Sequence, residues 1–235
     1  MNVSRCLIID TETSGLEESA AVIEVGAILY SVTNQCVLQE FATLLPSESN
    51  NAEPINRIKV AALHEVGDLA LIGFGYETLF AMSKAADVYV AHNAEFDSKR
   101  VYGNTSFLPM ASLPWLCTMS DFRWPQATRE QGSLINLALD HGIGVASAHR
   151  ALTDCRLIAS LFDRMTNLES MFEVAMRPKA LFQAIVSYDD RMLAKEKGFK
   201  WQAESKKWVR QMAIEDSLLL PFRVKRLEDR IHASA

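Results

Sequence analysis

Cys6-Leu7-Ile8-Ile9-Asp10-Thr11-Glu12-Thr13 is the stretch on which the reading of this chain turns. Its apolar run reads as a buried strand that delivers two carboxylates at its end. Residues i and i+2 project to the same side of a pleat, so Asp10 and Glu12 crowd one spot. Such crowding is costly unless something positive sits between the charges. Two later stretches are of the same kind: His92-Asn93-Ala94-Glu95-Phe96-Asp97 and His149-Arg150-Ala151-Leu152-Thr153-Asp154. Asp10, Glu12, Asp97 and Asp154 form a candidate oxygen cage for hard divalent cations, with His149 as a nearby base. That combination points to phosphodiester chemistry.

Working outward, the N-terminal part reads as a meander of strands at Cys6–Asp10, Ala21–Tyr30 and Val37–Leu45. Residues 46–54, with Pro46 and Pro54, read as a loop. Short helices are expected over 56–64 and 76–85, then a strand over Asp87–Ala91. Asn93 suits an N-cap for a helix running to Tyr102. A loop over 103–114, a strand at Trp115–Met119, and helices at Ser133–His141 and Ala148–Met165 complete the pattern. Strands followed by alternating helices and strands indicate an α/β fold with a mixed sheet flanked by helices. Arg177-Pro178 marks a boundary, giving a main domain over 1–176 and a small α+β module over 177–235. In the latter, strands are expected at Leu181–Val186 and Lys207–Arg210, a helix at Asp189–Lys197, and a core containing Trp201 and Trp208.

The chain has 235 residues, 49% of them hydrophobic, and a net charge of −5. This is room for one α/β domain and an appendage. No apolar run approaches the roughly 20 residues that cross a bilayer, and the first residues lack the form of a signal peptide. The four scattered cysteines have no zinc-type spacing, so a cytoplasmic protein with reduced thiols is expected. Residues 1–177 hold 12 Lys and Arg against 21 Asp and Glu, whereas residues 178–230 hold 12 against 8. An acidic body joined to a basic tail fits an enzyme acting on polyanions, and equally a domain with a solvated basic tail. Lys200, Lys206, Lys207 and Arg210, set among Tyr188, Trp201 and Trp208, make nucleic-acid binding by the module a second expectation.

The order D-x-E, A-H-N-A-x-F-D, H-x(4)-D, together with Asp10 to Leu16 and Val22-Ile23-Glu24-Val25-Gly26-Ala27, resembles the DEDD exonuclease family in its histidine-containing subclass. The likeness runs over residues 5–168. It implies a ribonuclease H-like fold with a five-stranded mixed sheet and metal-dependent 3′→5′ exonuclease activity. By the same resemblance Asp10, Glu12, Asp97 and Asp154 bind two Mg²⁺ or Mn²⁺, and His149 is the general base. Thr11, Thr13, Gly15 and Leu16 are implied to meet the terminal nucleotide, with Leu16 wedging the last base. Leu63 and His64 are implied to line that base, although Glu65 and Val66 replace the family's Gly-Ile there. Asn93 is implied to support substrate, and Phe96 to support it or pack locally. Single-stranded DNA 3′ ends are the expected substrate. The alternatives are RNA ends, or a non-catalytic polymerase-associated nucleic-acid-binding subunit.

Several residues have plainer readings. His92 is expected to make a structural hydrogen bond and His141 to cap a helix. Gly73-Phe74-Gly75 reads as a turn, Glu17 and Glu18 as exposed loop charges, and Cys155 as a buried thiol.

Overall fold

The computed structural model describes residues 2–17, 19–68, 72–107, 109–128 and 132–227. Strands β1 (Arg5–Thr13), β2 (Val22–Ser31), β3 (Cys36–Leu44), β4 (Val88–Ala91) and β5 (Trp115–Cys117) form one sheet in the order β3-β2-β1-β4-β5. β1, β2 and β3 pair antiparallel, whereas β4 runs parallel to β1 and β5 parallel to β4. This is the mixed five-stranded, ribonuclease H-like arrangement expected from the sequence.

The alternation of β1 builds two cores. Cys6 and Ile8 join Ile28, Tyr30 and Val90 on one face, under α5 (Leu134–Asp140), α6 (Ala151–Asp163) and α7 (Leu168–Ala175). Leu7 and Ile9 join Val25, Ala27 and Tyr89 on the other, under α3 (Ile72–Ala85) and α4 (Ala94–Tyr102). Both faces are covered, so β2 reads as a continuous apolar run instead of an alternating one.

Several elements depart from expectation. The helix expected over 56–64 is two helices, α1 (Glu53–Asn56) and α2 (Val60–Asp68). They break at Arg57, which is left-handed with φ 59°. Gly73 and Gly75 lie inside α3 and do not form a turn. α7 is an additional helix, with Leu168, Met171, Phe172 and Ala175 buried at helical spacing. Asn93 stands at the start of α4 but makes no side-chain cap, because its own φ is 68°. α6 begins at Ala151, three residues later than expected. Glu18 lies outside the described residues. No described helix is long and apolar enough to cross a membrane.

Beyond Pro178 a four-stranded antiparallel sheet runs β7-β8-β6-β9, formed by β6 (Lys179–Ile185), β7 (Lys200–Gln202), β8 (Lys207–Ala213) and β9 (Arg223–Arg226). Helix α8 (Arg191–Glu196) contributes Ala194 to a separate core with Phe182, Phe199 and Met212. Trp208 packs against that core, but Trp201 is 51% exposed and does not belong to it. The two rings face each other across the β7–β8 pair, 5.6 Å apart. Ion pairs join this sheet to the first: Lys179 with Asp121, Arg123 with Asp216, and Arg177 with Glu215 and Asp216.

One close approach fixes the helix that matters most. A Cβ on Gly26 would stand 2.4 Å from the Leu152 backbone nitrogen and 2.5 Å from the Ala151 carbonyl carbon. Glycine there lets the α6 backbone lie directly on β2. Gly26→Ala is therefore expected to lower stability by about 1–3 kcal/mol, because backbone must move to admit one methyl. Urea unfolding measures the loss, and an unchanged midpoint would show that α6 is not seated this way.

Candidate active site

The even-numbered residues of β1 face α6. Asp10 and Glu12 therefore emerge at the strand end on the side where α6 presents Asp154. Carboxylate oxygens of the three lie within 4.8 Å of one another. Asp97 reaches the same strand end from the opposite face, on α4. It is buried, and its Oδ1 accepts both the Thr11 backbone N–H at 2.9 Å and the Thr11 hydroxyl at 2.8 Å. Thr11 is odd-numbered and faces α4, so alternation along one strand assigns three acids to one cluster and tethers the fourth beside it.

A second latch positions α6. Glu24 is buried within the apolar β2 run, opposite Glu12 in the register. Its carboxylate accepts Arg150 Nε at 3.0 Å, an Arg150 Nη at 2.7 Å and the Ala151 backbone N–H at 3.0 Å. This two-pronged grip fastens the amino end of α6 and satisfies one of its unpaired N–H groups. Glu24 and Arg150 were not among the expected site residues. The signal for Glu24 was a lone charge in the otherwise apolar run Val22–Leu29.

The electrostatics are those of crowded anions. Burial first, then the fields of Asp97, Asp154, Glu12 and Glu24, push the Asp10 carboxyl well above the ordinary carboxylate range. Glu12 is pushed up to about 8, by burial and then by Asp154, Glu24 and Asp97, with Arg150 pulling the other way. Burial raises Asp97 to about 7 against its hydrogen bonds from Thr11. Burial also raises Asp154, opposed by the charge and backbone N–H of His149. Asp154 Oδ1 is buried with no hydrogen-bond partner among the described residues. Three converging carboxylates, mutual repulsion and an unpartnered buried oxygen together fit a divalent cation.

His149 is exposed, two residues ahead of α6, in a left-handed conformation with φ 62°. Asn93 plays the same geometric part ahead of α4, so both acid-bearing helices follow a sharp left-handed turn. Leu16, 86% exposed, lines a groove of about 510 Å³ with Asn93, Phe96, Glu95, Lys99, Arg100 and Lys200. Three of the expected substrate contacts are thus brought together.

The remaining expected contacts are placed elsewhere. Thr11 is occupied by Asp97, and buried Thr13 donates its hydroxyl to the Gly15 carbonyl at 2.6 Å, so both shape the turn. Gly15 is itself buried. Leu63 is wholly buried with Ile23 and Ile58, which makes it a core residue and not a substrate contact. His64 is exposed, with Nε2 3.4 Å from a Glu48 carboxylate oxygen. Asn56 donates to the Thr13 carbonyl at 3.3 Å, and the Asn51 and Ala52 amides donate to the Ser14 carbonyl. The loop after β3 therefore clamps the turn that presents Leu16, a role no local sequence signal announced.

A family model described as exonuclease, of the ribonuclease T type, matches residues 7–162. The chain belongs to the exonuclease family. It is a DEDD-type 3′→5′ exonuclease, an enzyme that hydrolyses phosphodiesters. A second family model, described as a domain of unknown function, matches residues 180–227. DNA polymerase III subunit epsilon of Treponema pallidum (strain Nichols) is 29% identical over 164 residues, which cover 66% of this chain and 74% of that protein. The nuclease domain of 3′hExo, a DEDDh family member bound to rAMP, shares the fold at a TM-score of 0.53. It is 16% identical, over 69% of this chain and 92% of that one. A 3′-exonuclease that recognises the histone mRNA stem-loop also superposes at 0.53, with 13% identity over 70% of this chain and 82% of its own.

His92 and His141 do the structural work expected of them. His141 closes α5, its Nδ1 donating to the Leu137 carbonyl at 2.8 Å. His92 Nε2–H donates to the Gly132 carbonyl at 3.1 Å, and Nδ1 lies 2.9 Å from the Thr118 hydroxyl oxygen. Burial pushes the His92 imidazole down to about 4 against the pull of the Gly132 carbonyl. The unfolded imidazole titrates near 6.5. Between those values the unfolded chain takes up a proton that the folded chain refuses. The stabilising contribution is whole above pH 6.5 and is lost as pH falls towards 4. Relative to His92→Gln, the wild-type protein is expected to lose about 2 kcal/mol more stability between pH 7 and pH 4.5. Parallel pH dependences in chemical denaturation of the two proteins would contradict this.

Proposed function

We propose that the enzyme removes nucleotides one at a time from single-stranded DNA 3′ ends, with two Mg²⁺ or Mn²⁺ held by Asp10, Glu12, Asp97 and Asp154. The carboxylate convergence at the end of β1 carries this reading: Asp10, Glu12 and Asp154 are within 4.8 Å, with one Asp154 oxygen unpartnered. When bound there, such cations supply Lewis acidity towards the phosphoryl oxygens and neutralise charge developing on the departing 3′ oxygen.

The chain's own residues do the rest. His149 stands exposed beside Asp154, where neutral imidazole takes the proton of the attacking water and the Asp154 carboxylate steadies the resulting imidazolium. The water oxygen bonds to phosphorus in line, the bond from phosphorus to the 3′ oxygen breaks, and that oxygen leaves to be protonated by solvent. The product is a nucleoside 5′-monophosphate. Leu16, exposed at the mouth of the groove, holds the terminal base, and Asn93 and Phe96 form the facing wall. Thr11 acts through Asp97, keeping one oxygen occupied and the other oriented. The preference for DNA is supported by the likeness to a DNA polymerase III epsilon subunit.

A time course on 5′-labelled DNA, with a matched RNA strand beside it, tests the whole reading. With Mg²⁺ or Mn²⁺ the wild-type enzyme is expected to shorten the DNA in single-nucleotide steps faster than the RNA, and EDTA to stop it. Asp10→Asn should abolish hydrolysis while raising the melting temperature in EDTA, because it removes one of the repelling carboxylates. His149→Ala should slow hydrolysis by roughly 10²–10⁴. Faster trimming of RNA would reassign the substrate, near wild-type activity in Asp10→Asn would end the metal-cage mechanism, and an unchanged rate in His149→Ala would remove it as the base.

A further inference from the structure

The groove that gathers Leu16, Asn93 and Phe96 is not built by the exonuclease fold alone. Lys200, on β7 of the C-terminal sheet, forms part of the same wall. Among the described residues β7 is an edge strand that pairs only with β8, and all three of its residues are exposed. Strand alternation places Lys200 and Gln202 on one face and Trp201 on the other, so β7 offers the groove a cation and not an aromatic ring.

The groove's charge also favours an anion. Glu95, the one acid among the described residues lining it, is paired with Lys99 at 2.9 Å. Arg100 lies 5.0 Å over the Phe96 ring and donates to the Ala20 and Glu17 carbonyls, so its charge is fixed in place. The sheet is held against the exonuclease fold by the Lys179–Asp121 and Arg177–Glu215 ion pairs and by Asp216, which joins Arg123 and Arg177. β7 thus borders a positive groove continuous with the wall proposed for the terminal nucleotide.

We propose that the C-terminal sheet is part of the substrate-binding surface, with Lys200 contacting backbone phosphate of the single strand whose 3′ end enters the active site. The proposal deepens the function proposed above and rests on it. The sheet's net positive charge supplies general attraction, and Lys200 supplies the local contact that keeps the strand in the groove.

Fluorescence anisotropy with a twelve-nucleotide DNA strand in EDTA, where the strand stays intact, gives the test. Lys200→Glu should weaken binding at least about threefold. Lys200→Ala should make the plot of log affinity against log salt shallower by about 0.7, the value for one lost phosphate contact on a single strand. Lys225→Glu makes the same charge change on β9, at the far edge of the sheet, and should stay within threefold of wild type. Binding by Lys200→Glu within threefold of wild type overturns the proposal. So does an equal loss in Lys225→Glu, since net charge alone would then explain it. Wild-type nucleotide release from the same strand separates the two readings. Release without Lys200 dependence defeats only the groove assignment, whereas Lys200-dependent binding without metal-dependent release defeats only the exonuclease mechanism.

Discussion

The seating of α6 on β2 is the constraint from which the active site follows. Gly26 removes the side chain that would hold the helix away, and Glu24 grips Arg150 and the Ala151 amide at its first turn. Contact and latch act two residues apart on one strand, so the helix is fixed in both distance and rotation. Asp154 is then carried to the end of β1, where Asp10 and Glu12 emerge. A buried carboxylate bound to an arginine is a modest source of net stability, because desolvating it offsets much of the attraction. Its consequence here is position: losing the latch would leave Glu24 buried without its countercharge.

The four acids are held by different means, which gives them different freedom. Asp10 and Glu12 belong to a strand paired on both sides, Asp154 to a helix pressed against it, and Asp97 to a helix on the opposite face of the sheet. Thr11 resolves the last case by donating twice to Asp97. Without a cation this gathering raises every one of the four carboxyls, burial being the first cause each time. The fold therefore stores a local electrostatic penalty at the site, and the apolar cores on both sheet faces supply the stability that supports it.

The C-terminal sheet shows how an appendage becomes part of a site through its edge. It has its own small core around Phe182, Phe199 and Met212, and partly exposed ion pairs of Arg177 with Glu215 and Asp216 link it to the exonuclease fold. Such links are weaker in salt than apolar packing is. They orient the sheet so that the short strand β7, with no apolar face to bury, borders the groove. Trp201 illustrates the same geometry from the other side: it leans on Trp208 across the strand pair and stays half-exposed.

Local chemistry made much of this legible in the sequence. The apolar run before Asp10, the i and i+2 spacing of Asp10 and Glu12, and the three acidic motifs in order follow from strand and helix periodicity acting over a few residues. What distant segments share was not legible. Leu63 reads as a surface contact beside His64 until its helix is packed against Ile23 and Ile58. Glu24 reads as an anomaly until Arg150 reaches it, and β7 and β9 are too short and polar to announce themselves before β8 and β6 pair with them. The sequence by itself determined the fold class and the pairing of Asp10 with Glu12 at one strand end, because periodicity and residue chemistry are local. Only the tertiary structure decided which acids touch, which threonine orients Asp97 and which strand brings Lys200 to the groove, because those depend on close approach between segments far apart in the chain.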